Sequence, residues 1–165
     1  MGKNINYAET IKQVILKSSP FGLTIFDENI SILDCNEAMP KLCGAPKQYY
    51  IDNFFEFSPE YQADGVKSTE RAFELMKCAR RSEVVTTEWL HKTMDGEIIP
   101  CELTVTGIEQ NGVFIGLSFV YDLRKLKALS ENLQKQDKLL KVCLEQMELI
   151  SELQKVLLHQ AKPMY

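Results

Sequence analysis

Residues 84–121 read VVTTEWLHKTMDGEIIPCELTVTGIEQNGVFIGLSFVY. Three runs rich in β-branched and aromatic residues, Val84 to Thr93, Glu97 to Ile108 and Val113 to Tyr121, are punctuated by Asp95-Gly96 and Asn111-Gly112. Asp-Gly and Asn-Gly favour the positive φ angles of tight hairpin turns, so the stretch predicts an antiparallel three-stranded meander. Its faces depend on loop length, because a slip of one residue moves every side chain to the other side of the sheet. Three-residue loops, Met94-Asp95-Gly96 and Gln110-Asn111-Gly112, put Thr87, Trp89, His91, Ile99, Cys101, Leu103, Val105, Ile115, Leu117, Phe119 and Tyr121 on one face. Glu88, Leu90, Lys92, Glu102, Thr104, Phe114, Gly116, Ser118 and Val120 fall on the other. The first set is the more apolar and is expected to face the core. Two-residue loops would set Glu88 and Lys92 beside Leu103 and Ile99, a poorer pattern.

Upstream of the meander, residues 5–17 carry Ile5, Ala8, Ile11, Ile15 and Leu16 near helical spacing, and Ser18-Ser19-Pro20 ends that helix. Gly22 to Asp27 and Ile30 to Asp34 read as two short strands around an Asp27-Glu28-Asn29 turn. Asn36 is placed to cap a short helix that tolerates Pro40 in its first turn and stops at Gly44. Residues 45–66 lack periodicity but hold Tyr49, Tyr50, Phe54, Phe55, Phe57 and Tyr61, which predicts short turns wrapped around a core. Ser68 to Arg81 is a clearer helix, with Ser68 as its expected cap and Ala72, Phe73, Leu75, Met76 and Ala79 as its apolar side.

Downstream, residues 122–160 are rich in Leu, Lys, Glu and Gln. Leu126, Leu133, Leu140 and Met147 recur every seven residues, as do Leu129, Gln136, Cys143, Ile150 and Leu157. Two such series form an a/d seam, the signature of a coiled coil, here interrupted by Gln136. A second stripe of Leu139, Val142, Leu149, Leu153 and Val156 makes the distal half apolar on more than one face. The expected organisation is an amphipathic helix over 1–18, one domain over 19–122 and a coiled-coil dimerisation helix over 123–160. The tail from Ala161 to Tyr165 ends the helical pattern and fits a natural stop. The residues equally fit a segment cut from a longer kinase, with the helix as linker.

The bulk properties narrow the function. The 165 residues are 45% hydrophobic and 25% charged, the mix of a globular domain with an appendage. A formal net charge of −4 argues against nucleic acid and anionic membrane surfaces as partners. No apolar run reaches a membrane span and the first 17 residues lack a secretory signal pattern, so a cytoplasmic protein is expected. The five cysteines are scattered, without a CxxC pair, and read as buried thiols in a reducing compartment rather than as metal ligands.

The residues that carry a family likeness are SSPFGLTIFDENISILDCNEAMPKLCG (18–44), FFEFSPEYQADG (54–65), EWLHKTMDGEIIPCELTV (88–105) and GLSFVYDLRKLK (116–127). Together they resemble the PAS family, and the second resembles a segment of PAS domains in bacterial hybrid sensor kinases, with Ala63 where Pro is usual. The resemblance implies an α+β fold: a five-stranded antiparallel sheet, order 2-1-5-4-3, with helices over one concave face that can hold a ligand. It also implies dimerisation and signal relay into a C-terminal coiled coil. An Asp-Ile-Thr-like triplet often ends the last strand of the family; Asp122-Leu123-Arg124 matches only at Asp122, the expected tie to the helix.

Few residues offer chemistry. His91 is one of only two histidines, placed to bind haem iron or to switch with pH, or simply to stand as a hydrogen-bonded polar residue at the rim of the core. Haem is disfavoured, because PAS haem proteins usually draw their axial His from a helix and no His precedes residue 91. Photoactive flavin is disfavoured because the Asn-Cys-Arg motif of such domains is replaced by Cys35-Asn36. Phe55, Phe57, Phe73, Trp89, His91, Cys101, Leu103, Leu117 and Phe119 are the expected pocket, either around a flat or apolar ligand or simply as packed core. No catalytic residues and no metal site are expected. A Gly-rich phosphate loop and HExxH are both lacking, and with His91 and His159 the only histidines a Ser/His/Asp site has little material. The predicted function is a non-enzymatic sensory module that relays a ligand, redox or partner signal through a homodimeric C-terminal coiled coil to a kinase or other signalling protein. The alternative is an adaptor without a ligand.

Overall fold

The computed structural model describes residues 7–160, with side chains through residue 155. The chain parts into two compact units between Arg124 and Lys125. The first opens with α1 (Tyr7–Ser18), β1 (Gly22–Phe26), β2 (Ile32–Cys35), α2 (Ala38–Cys43) and α3 (Lys47–Asp52). A 3-10 turn at Phe54–Phe57 leads to α4 (Ser68–Arg80), then β3 (Val85–Lys92), β4 (Ile98–Gln110) and β5 (Val113–Asp122). The sheet is wholly antiparallel in the order β2-β1-β5-β4-β3, as the family likeness implied. Helices α2, α3 and α4 cover one face and bury Met39, Tyr50, Leu75, Met76 and Ala79 against it.

The two hairpins of the meander differ. Thr93 N–H donates to the Glu97 carbonyl at 2.9 Å around Met94-Asp95-Gly96, so the first loop has the expected three residues. The second does not. Gln110 pairs with Val113, leaving a two-residue turn in which Asn111 (φ 54°) and Gly112 (φ 75°) both take the left-handed conformation. Two successive positive φ angles make a type I′ turn, whose twist matches that of the strands it joins. The expected three-residue loop is therefore corrected by one residue, and every side chain of β5 changes face. Phe114, Gly116, Ser118 and Val120 join Trp89, His91, Ile99, Cys101, Leu103 and Val105 in the interior. Ile115, Leu117, Phe119 and Tyr121 lie outside, half-buried or exposed.

Apolar count chose the wrong face because the inner one requires small residues. A Cβ at Gly116 would run into the Phe26 ring of the neighbouring strand. Gly116 thus makes room for Phe26, and Phe26 in turn meets Phe114 at 6.5 Å between ring centroids.

Three smaller expectations also change. The second strand begins at Ile32, not Ile30, and Ile30 stands in the turn with φ 62°. That conformation disfavours a β-branched residue. It is held by Asp27, whose Oδ1 accepts the amides of Asn29 and Ser31 at 2.8 Å each, while the buried Ile30 side chain enters the core. Ser68 is the first helical residue of α4 and not its cap; Lys67 stands at that position. Ser68 instead donates to the Pro59 carbonyl and accepts from Gln62 Nε2. Phe73, assigned to the apolar side of α4, points away from the core and is 50% exposed.

Glu37, and not Asn36, stands at the cap position of α2, while Asn36 bridges two elements. Its Oδ1 accepts the Leu23 amide at 2.9 Å and the Met39 amide at 3.4 Å, and its Nδ2 donates to the Phe21 carbonyl at 2.7 Å. One buried side chain thereby ties the start of β1 to the entry of α2. Helix α1 buries none of its residues, and Ile11, Val14 and Ile15 are all exposed. Lys12 reaches Asp34 at 3.7 Å, beside the closer Lys47–Asp34 pair at 2.8 Å. Ile5 lies outside the described residues.

The second unit is the body of α5 (Arg124–Gln160). No helix among the described residues is long and apolar enough to cross a membrane. Along α5, Leu126, Leu129, Leu133, Leu140, Met147 and Ile150 are each more than half exposed. Cys143 is exposed as well. The side chains of Val156, Leu157 and His159 and the tail from Ala161 lie outside the described residues.

Candidate functional site

Between the helices and the inner face of the sheet lies a cavity of about 50 Å³. Its wall is apolar: Phe26, Ile30, Ile32, Phe54, Ala72, Leu75, Met76, Trp89, Leu103, Val105 and Val120. Thr24, Tyr50, His91 and Ser118 are the polar members. Thr24 Oγ1 and the Tyr50 hydroxyl hydrogen-bond each other at 3.2 Å. Trp89 Nε1 donates to Ser58 Oγ at 3.1 Å.

The exception is His91, 2% exposed near the C-terminal end of β3. Its Nδ1 sits 3.1 Å from the Phe57 carbonyl. A carbonyl only accepts, so Nδ1 carries the proton and Nε2 is left with a bare lone pair. That Nε2 is buried and has no hydrogen-bond partner. Burial, only partly opposed by the Phe57 contact, pushes the imidazole down to about 4, so His91 is neutral at pH 7. Buried polar atoms are nearly always paired, and an orphan on a residue that lines a cavity marks where a partner group belongs.

The segment 54–65 sets this geometry. Phe57 supplies the carbonyl for His91 and Ser58 the acceptor for Trp89. Gln62 Oε1 accepts the Leu90 amide at 2.7 Å and its Nε2 donates to the Leu90 carbonyl at 3.2 Å. Strand β3 is an edge strand, and Gln62 acts as the missing neighbour for its outward backbone groups.

No family model and no curated protein matches the chain. Solved structures do. The PAS domain of an HTR-like protein from Haloarcula marismortui is 16% identical with a TM-score of 0.57, covering 73% of this chain and 95% of that one. A domain of a sensory box sensor histidine kinase/response regulator from Geobacter sulfurreducens is 18% identical at 0.54, covering 71% and 98%. The chain has the PAS fold. A third similar structure is the LOV domain of a blue-light activated histidine kinase from Erythrobacter litoralis, 20% identical at 0.53, covering 64% and 97%.

Within this PAS fold, the residues expected to form a pocket separate. Trp89, His91 and Leu103 border the cavity. Cys101 is fully buried on the same face but outside the wall, and Phe57 is buried beside Tyr50. Four expectations are corrected. Leu117 and Phe119 lie on the outer face, because of the one-residue shift in the second hairpin. Phe55 is 43% exposed and its neighbour Phe54 takes the cavity position, since the 3-10 turn rotates adjacent residues apart. Phe73 is exposed on α4. Wall residues that sequence reasoning missed include Phe26, Ile30, Tyr50, Met76 and Val120. They come from four different elements and the β1–β2 turn and share no local motif.

The interior thiols are inert. Burial pushes Cys35 up to about 11 and Cys43 and Cys101 up to about 12, so they stay protonated, and none forms a disulfide. Among the described residues no cluster of His, Cys, Asp or Glu suits a metal ion.

At the end of β5, Asp122 Oδ1 accepts the Arg124 amide at 2.9 Å, and the Arg124 guanidinium lies 2.8 Å from Asp122 and 3.3 Å from Glu97. Partial burial raises the Asp122 carboxyl, but the Arg124 side-chain and backbone hydrogen bonds outweigh it and hold the group below its usual range. Arg124, where the family triplet departs from its pattern, thus supplies its own polar tie to the β3–β4 hairpin. Asp122→Ala is expected to cost about 1 kcal/mol, the value of a helix-terminal acceptor, and to speed hydrogen exchange at the Arg124 amide. Unchanged exchange there would show that Asp122 does not anchor the helix start.

Proposed function

We propose that the chain is a sensory PAS module that responds to a ligand in its cavity and relays the response through a homodimeric coiled coil built on α5. The observation that carries the reading is the buried, unpartnered Nε2 of His91, a residue that lines an apolar cavity. A domain selected only for packing would bury an apolar residue there, since an orphaned polar atom costs on the order of 1–3 kcal/mol. The similarity to sensor-kinase domains supports an output onto a kinase or another signalling protein. The module is read as non-enzymatic and cytoplasmic, and free thiols support a reducing compartment. A cavity of about 50 Å³ does not fit haem or flavin, and the raised interior thiols do not favour redox sensing.

The dimer reading rests on the exposed heptad positions of α5. Native mass spectrometry tests it. The wild-type chain is expected at twice its monomer mass, and the double variant Leu133→Asp, Leu140→Asp at the monomer mass. Two charges buried in a seam cost more than the helix pair gains. A double variant that keeps the dimer mass would remove the coiled coil from the mechanism.

A ligand-free adaptor is the second reading, favoured by the small size of the cavity and the aromatic packing of Tyr50, Phe54 and Phe57 beside it.

A further inference from the structure

We propose that the cavity selects a small neutral molecule that donates a hydrogen bond to Nε2 of His91, an aliphatic alcohol or primary amide of about three to five heavy atoms. The inference rests on the ligand-sensing reading above and adds which chemistry the site accepts. Polarity, charge and size set it.

The first is polarity. The Phe57 carbonyl at 3.1 Å fixes the proton on Nδ1, so Nε2 is an acceptor only. An ether, ketone or carboxylate offers it nothing, whereas a hydroxyl or amide N–H satisfies it. The second is charge. The wall holds no Lys, Arg, Asp or Glu, and its one ionisable base is kept neutral by burial. An anion would find no cation there, and an ammonium would lose its hydration against apolar side chains, so the occupant is uncharged. The third is size. A cavity of about 50 Å³ offers roughly three to five water-sized positions. The rest of the wall, Phe26, Ile32, Leu75, Met76 and Val105 among it, suits a short hydrocarbon tail. A metal ion also uses a bare Nε2, but among the described residues no second and third ligand gather beside it.

The test compares isomers. 1-Butanol and diethyl ether share a formula, and only the alcohol donates; butyrate adds a charge. The nitrogen-15-labelled 165-residue chain is titrated with each at pH 7 while the His91 Nε2 resonance is followed. 1-Butanol is expected to saturate, to move the Nε2 resonance, and to bind roughly tenfold more tightly than diethyl ether, the value of one net buried hydrogen bond. Butyrate is expected not to bind. In His91→Phe the alcohol is expected to lose its advantage over the ether.

Equal binding of alcohol and ether with a stationary Nε2 resonance would overturn the donor requirement while leaving a ligand-sensing cavity. Exclusion of all three compounds would overturn the inference and turn the weight to the ligand-free adaptor. A water on Nε2 that 1-butanol does not displace would overturn it too.

Discussion

Phe114→Ala is expected to cost about 3–5 kcal/mol of unfolding free energy, and Phe119→Ala about 1 kcal/mol. Both are phenylalanines of β5, five residues apart, and the contrast follows from the register of one hairpin. Phe114 is 3% exposed. Its ring packs 6.5 Å from that of Phe26, and the Arg80 guanidinium lies over it at 5.7 Å. Truncation leaves a cavity between β5, β1 and α4 that close-packed neighbours fill only in part. Phe119 stands on the outer face, only half-buried, between Leu23 of β1 and Thr104 of β4. With a three-residue second loop the order of the two costs would reverse. Urea unfolding of both variants reads the register directly, and a larger loss at Phe119 would refute the two-residue turn.

Acidification is expected to remove up to roughly 3 kcal/mol of stability through His91 alone. Burial holds the folded imidazole down at about 4, against an ordinary value of 6.5. Between those pH values the unfolded chain binds a proton that the folded chain refuses, so the unfolded state gains as pH falls. The stabilisation is therefore complete above pH 6.5 and is lost as pH drops through 4. Asp34 and Asp122, both held below the ordinary carboxylate value, act in the same direction at lower pH still. The urea midpoint measured at pH 7, 5.5 and 4.5 should fall steadily, and His91→Phe should flatten that slope. A variant with the full slope would assign acid sensitivity to other groups. A ligand on Nε2 holds the neutral imidazole, so its presence is expected to move the acid transition lower.

Much of the architecture was legible in the residues because it is local. Asp95-Gly96 and Asn111-Gly112 announce two reversals whatever surrounds them. Gly44 stops α2 and Ser18-Ser19-Pro20 stops α1 for backbone reasons that need no tertiary partner. The heptad spacing from Leu126 onward reads as helix because the period is 3.5 and no Gly or Pro breaks it. The order of these elements, with the stretches that resemble the PAS family, was enough to expect the β2-β1-β5-β4-β3 sheet that the structure has.

The candidate site was legible only in part. Trp89, His91 and Leu103 alternate along strands whose first hairpin was read in register, and they border the cavity. Phe55, Phe73, Leu117 and Phe119 were assigned by hydrophobicity, and hydrophobicity does not say which side of an element is covered. Ile115, Leu117, Phe119 and Tyr121 are larger and more apolar than Phe114, Gly116, Ser118 and Val120, yet the second set is inside.

The sequence by itself determined the elements, their order and their turns, because backbone preference and periodicity act over a few neighbouring residues. Only the tertiary structure decided which face of β5 turns inward, since the Phe26 ring from β1 fills the space where Gly116 has no side chain. It alone decided the chemistry of His91 as well. The carbonyl that fixes the proton on Nδ1 belongs to Phe57, 34 residues earlier in the chain. The atom left unpaired exists only once those two segments have packed.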